Sequence, residues 1–94
     1  MTIGTLRGSL ANVFMQFGLN KVFVFGSYAR GEETPNSDLD LLIVTDKRFD
    51  LEEYGRLEET LEEVTGKKVD IVFYEYVNPY MKDEILKEAV SIYE

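Results

Sequence analysis

The segment Leu39–Val44 most restricts the fold open to this chain. Side chains of an extended strand alternate between faces, so Leu39, Leu41 and Ile43 fill one face while Leu42 and Val44 lie on the other. A strand apolar on both faces is a buried strand. The chain has 94 residues, and one small domain spanning residues 1–94 is expected, with a modest core and no room for a second.

The rest of the sequence supplies elements to surround that strand. Leu6, Leu10, Val13, Phe14 and Phe17 recur at helical spacing within residues 5–17, and Gly18 provides a stop. Lys21–Phe25 is short, apolar and rich in β-formers, which predicts a strand. A tight turn at Gly26–Gly31 can open a short helix, and Pro35 and Asn36 mark a loop before the buried strand. Asp50 can cap a helix over Leu51–Thr65, with Leu51, Tyr54, Leu57, Leu61 and Val64 as its inner stripe and Gly66 as its end. Six glutamates occupy the remaining circumference of that helix and read as a solvated face. A third strand is predicted over Lys68–Tyr74, and Asn78-Pro79 begins a helix running to about Ala89, with Met81, Ile85 and Ala89 at i, i+4 spacing. Val90–Glu94 can add a short edge strand. The resulting α-β-α-β-α-β-α(-β) order predicts an α/β (α+β) domain with helices packed against one small sheet.

Composition removes several kinds of chemistry. Hydrophobic residues make up 45% and charged ones 30%, which is a globular balance. Ten Lys and Arg face 18 Asp and Glu, for a net charge of −8, which disfavours direct, general nucleic-acid binding. With no Cys and no His, disulfides, thiolate or imidazole metal sites, and histidine acid–base catalysis are excluded. The apolar runs are too short to span a membrane, no signal peptide is evident, and a cytosolic, cytoplasmic protein is expected. Any chemistry must therefore rest on carboxylates, hydroxyls, Lys, Arg or a hard metal ion.

Three acids sit where a structural role is hardest to find. Asp38 and Asp40 stand two apart at the mouth of the buried strand, on one face and roughly 6.5–7 Å apart. At an effective dielectric near 20 their repulsion is about 2–3 kcal/mol, a sizeable part of a small domain's stability. An Asp at a strand terminus can also simply cap a loop, and that reading stays open for Asp38. Asp70 lies inside the apolar third strand, on the face of Val72 and Tyr74, and converges on the pair if the two strands are neighbours. Three clustered carboxylates suit Mg²⁺ or Mn²⁺, which points to phosphoryl-type chemistry. Gly26 and Ser27 follow a strand directly, where exposed amides, a hydroxyl and a helix start can cradle an anion. Arg30, a short turn later, can reach a phosphate oxygen.

These residues resemble a known family. Gly26-Ser27, ten intervening residues and Asp38-Leu39-Asp40 reproduce the Gly-Ser-x10-Asp-x-Asp signature of the DNA polymerase β-like nucleotidyltransferase superfamily. The run Phe25–Val44 is most similar to the minimal nucleotidyltransferases, including the MNT antitoxins that pair with HEPN-domain toxins. The resemblance implies phosphate binding by Gly26 and Ser27, with Arg30 as a further phosphate contact. It also implies two Mg²⁺ ions (Mn²⁺ being possible) held by Asp38, Asp40 and Asp70, and ATP as substrate. Tyr28 departs from the pattern, standing where many relatives carry a basic residue.

The activity implied is attack of an acceptor hydroxyl on the α-phosphorus of ATP, with pyrophosphate expelled and Asp70 able to help take the proton. So short a chain provides little for acceptor binding, so the acceptor is expected on another polypeptide: by resemblance, a tyrosine of a HEPN toxin silenced by AMP. Tyr74, Tyr76 and Tyr80 form either a contact surface for such a partner or, as the better expectation, a cover for the core. Two other functions are weighed: a non-catalytic antitoxin that masks its partner, and nucleotidyl transfer to a small molecule.

Overall fold

The computed structural model describes residues 2–94. Its elements run α1 (Ile3–Gln16), β1 (Lys21–Phe25), α2 (Ser27–Arg30), β2 (Leu39–Val44), α3 (Leu51–Thr65), β3 (Val69–Phe73), a 3-10 turn (Tyr74–Tyr76), α4 (Pro79–Glu88) and β4 (Val90–Tyr93). This is the expected mixed α/β chain, and the edge strand forms. The sheet order is β3-β2-β1-β4. β1 pairs antiparallel with both β2 and β4, whereas β2 and β3 run parallel. The β2–β3 connection contains α3, the crossover a parallel pair requires.

Burial follows the alternation along the strands. Val22 and Val24 of β1 and Leu39, Leu41 and Ile43 of β2 join one buried cluster with Leu6, Leu10, Val13 and Phe14 of α1 and Leu57 and Leu61 of α3. Leu42 is also fully buried but lies outside that cluster, on the opposite face of β2. The strand is thus enclosed on both sides at its centre, as its sequence requires.

The ends of the helices are set by local chemistry. Thr2 caps α1 by accepting the Thr5 amide at 3.1 Å. Asp50 caps α3 by accepting the Glu53 amide at 2.8 Å, and Gly66 closes it in the left-handed conformation. Asn78 accepts the Tyr80 amide at 2.9 Å, with Pro79 at the first helical position of α4.

Several expectations need correction. The inner stripe of α3 is buried only in its middle turns: Leu57 and Leu61 are fully covered, while Leu51 is 90% and Val64 43% exposed. A 15-residue helix is about 22 Å long, longer than strands of four to six residues, so the short sheet offers less cover to its ends than to its middle. β3 is also shorter than expected, because Lys68 lies before it and the chain curls into the 3-10 turn at Tyr74. Tyr76 and Tyr80 do not cover the core; they are 72% and 93% exposed. α4 buries none of its residues, so its Met81 and Ile85 stripe is only loosely applied to the rest. Among the described residues no helix is long and apolar enough to cross a membrane.

The cluster around α1 should dominate stability. Leu10 is fully buried, and Leu10→Ala is expected to cost about 2–5 kcal/mol, a large part of what a domain this size has. Urea unfolding monitored by circular dichroism would read the loss as a lower midpoint with little change in slope.

Candidate active site

The site lies at the N-terminal ends of β2 and β3, at the C-terminal end of β1. The parallel register pairs Leu39 with Val69 and Asp40 with Asp70, and the antiparallel register pairs Phe25 with Asp40. In-register neighbours on adjacent strands point to the same face, with backbones about 4.8 Å apart. Asp40 and Asp70 therefore stand side by side on the face opposite the α1–α3 core, as expected if the two strands were neighbours.

Asp40 is half-buried, whereas Asp38 and Asp70 are exposed. Burial raises the Asp40 carboxyl above the ordinary carboxylate range; the charge of Asp70 and its side-chain hydrogen bond push it further, and Asp38 adds a smaller push. The positive charge of Arg30 is the one influence pulling it back. Asp40 is thus the centre of the acidic group. The expectation that all three acids meet at one point is met only in part: among the described residues, no three carboxylates gather into a cation-holding cluster. Asp38 precedes the first residue of β2, so the sheet does not fix it as it fixes Asp40 and Asp70.

Gly26 is required by this crowding. Its φ of 72° belongs to the left-handed region, and a Cβ there would overlap Asp40 Oδ2 and lie 3.2 Å from Asp40 Cγ. The missing side chain is the space in which the Asp40 carboxylate sits. Ser27 follows at once and opens α2, which Gly31 closes with a second left-handed residue at φ 70°. Arg30, in the last turn of α2, donates from Nε to Glu32 Oε1 at 3.3 Å and from Nη1 to Glu88 Oε1 at 3.5 Å. Glu88 ends α4 and was not singled out in the sequence, because nothing local links it to a residue 58 positions earlier. Tyr28 is a core residue, 3% exposed, and Lys67 Nζ lies 5.7 Å from its ring centroid. A basic side chain at this position would be desolvated within the core cluster, which gives the departure from the family pattern a packing reason.

The donor set is acidic and made wholly of oxygen, and burial together with the neighbouring carboxylates disfavours the charged form of Asp40, a cost that a bound cation would offset. Both features fit a hard divalent cation of the Mg²⁺ type, which Asp40 and Asp70 would hold.

Comparison with known proteins places the chain. The sequence model "Polymerase beta, Nucleotidyltransferase" matches residues 9–94. "Putative protein adenylyltransferase MJ0435" from Methanocaldococcus jannaschii is 37% identical over 92 residues, covering 98% of this chain and 99% of that relative. The solved structure of a "putative minimal nucleotidyltransferase" is 36% identical, with a TM-score of 0.81 over 96% of this chain and 95% of its own. A chain from the complex of tri-AMPylated Shewanella oneidensis HEPN toxin with MNT antitoxin shares the fold, with a TM-score of 0.73 at 14% identity over 97% of this chain and 71% of its own. The chain belongs to the polymerase β nucleotidyltransferase family, and its fold is that of a minimal nucleotidyltransferase.

The strained arrangement makes two predictions. Because the native carboxyl of Asp40 titrates above its ordinary value of 3.8, the folded protein binds more protons than the unfolded chain between the two values. Its contribution to stability therefore falls as pH rises through that window and stays unfavourable above it. Asp40→Asn should raise the melting temperature by a few degrees at pH 7, and the gain should shrink as pH is lowered toward about 4. Gly26→Ala should cost at least about 1–3 kcal/mol for its backbone alone, because φ 72° with ψ −147° is a conformation that essentially only glycine adopts. Gly8→Ala, inside α1 with open space around the new methyl, should instead stabilise by about 1 kcal/mol. Thermal melts across pH and urea titrations would measure both.

Proposed function

We propose that this protein transfers AMP from ATP to a hydroxyl of a partner protein, most simply a tyrosine of a HEPN-domain toxin, and thereby acts as its antitoxin. The observation that carries this reading is the in-register pairing of Asp40 with Asp70, held beside the Gly26-Ser27 turn. Membership of the nucleotidyltransferase family supports the reaction type, and the adenylyltransferase name of the M. jannaschii relative supports AMP as the group moved. The toxin–antitoxin complex that shares the fold supports the partner.

In this reading the acceptor oxygen bonds to the α-phosphorus, the bond from that phosphorus to the β-phosphate bridge breaks, and pyrophosphate leaves. Asp38, Asp40 and Asp70 would hold two Mg²⁺ ions; these ions supply Lewis-acid activation of the hydroxyl and charge neutralisation on the phosphates. Asp70, exposed at the edge of the pair, can take the proton from the acceptor hydroxyl. Gly26 and Ser27 would contact the phosphates, and Arg30 would present its guanidinium to them. Asp40 and Asp70 would keep the metal-holding face fixed because both lie within paired strands, whereas Asp38 precedes β2.

A masking antitoxin without transfer is the competing reading. It is favoured by the exposed Tyr76, Tyr80 and Met81 around the start of α4, a surface of the residue types that interfaces use. Incubation with α-labelled ATP, Mg²⁺ and a HEPN partner separates the two. Label should pass to the partner and fall at least about a hundredfold with Asp40→Asn or Asp70→Asn, as loss of transition-state charge stabilisation predicts. Neutralisation of the partner that persists in both variants, with no label moved by the wild type, would establish masking instead.

A further inference from the structure

Arg30 stands between two sets of oxygens. Its charge reaches Asp40, while its donors are engaged by Glu32 from the following turn and by Glu88 from the end of α4. Both pairs are solvent-exposed, with side-chain exposures of 44% for Arg30, 64% for Glu32 and 54% for Glu88. They are therefore weak enough to exchange. The same guanidinium is the cation that tempers the crowding at Asp40.

We propose that Glu88 is a positioning residue that holds Arg30 in reserve, occupying with a carboxylate the guanidinium donors that an incoming nucleotide phosphate takes over. The inference rests on the nucleotidyltransferase reading above and adds to it a residue that limits nucleotide affinity. A carboxylate and a phosphate offer a guanidinium the same paired oxygen acceptors, so one can replace the other without moving the backbone. Binding must then break the contact to Glu88, and Arg30 delivers to the phosphate only the difference between the two interactions.

Two features of the fold favour this role. Arg30 is only three residues from Ser27, which places its reach on the Gly26-Ser27 turn rather than on a distant surface. Glu88 is the last residue of α4 and its side chain is itself exposed, so no packing around the carboxylate reinforces its grip. Glu32, only two residues from Arg30, travels with the same turn and offers no such remote tie.

Isothermal titration with a non-hydrolysable ATP analogue and Mg²⁺ tests the proposal through binding rather than turnover. Glu88→Gln should tighten binding about two- to fivefold, the scale of one exposed ion pair. Part of that gain could come merely from removing one negative charge, so Glu63→Gln, on the outer face of α3, gives the size of that general effect. The decisive comparison is Arg30→Gln: in that background Glu88→Gln should change affinity no more than Glu63→Gln does. An unchanged or weakened affinity in Glu88→Gln, or an equal gain with and without Arg30, would overturn the role of Glu88 while leaving nucleotide binding intact. Absence of any binding by the wild type would overturn the nucleotidyltransferase reading itself, and this inference with it.

Discussion

The parallel pairing of β2 with β3 places Asp40 against Asp70, and the rest of the site is arranged around that contact. Two like charges on adjacent strands oppose folding, so something must hold them there. The holding force is the apolar length of β2, buried on both faces, together with the backbone ladder that fixes its register. A slip of one residue would turn Asp40 into the core and Leu39 and Leu41 away from it, a far greater loss than the carboxylate repulsion. The hydrophobic pattern that makes the strand interior is thus also what fixes the acidic pair in place. Stability is given up locally for a poised group, a common feature of functional sites.

The turn after β1 answers the same crowding. Gly26 gives up a side chain so that the Asp40 carboxylate has somewhere to sit, and its left-handed backbone sends the chain directly into α2. α2 is a single turn, yet it brings Arg30 close enough for its charge to act on Asp40. In a chain with net charge −8, one well-placed cation matters more at this site than the overall balance does. Tyr28 shows the opposite priority within the same turn, because its ring belongs to the core rather than to the face on which Asp40 lies.

α4 is organised differently from α1 and α3. Those helices bury leucines against the sheet, whereas α4 leaves Tyr80 and Met81 in solvent and touches the site through Glu88. It is followed at once by β4, which pairs with β1, so the chain returns to the far side of the sheet from β3.

Much of this was legible locally. The apolar, β-former-rich runs of Lys21–Phe25 and Leu39–Val44, the Asp50 and Asn78 caps and the Gly66 stop are short-range patterns, and each corresponds to the element formed. What failed locally failed for lack of range. The stripe of α3 could be drawn, but not how far the sheet beneath it extends, so Leu51 and Val64 were expected to be covered. The tyrosines after β3 fit a core cover until the 3-10 turn directed Tyr76 outward. By itself the sequence determined which residues are extended, which are helical and where three acids occur, because those follow from period and backbone preference. Tertiary structure alone decided that β3 lies beside β2 in parallel, that Asp38 stands outside the pair its neighbour makes, and that Glu88 reaches Arg30. Pairing and ion contacts between distant segments depend on how the whole chain packs, and no local period encodes that.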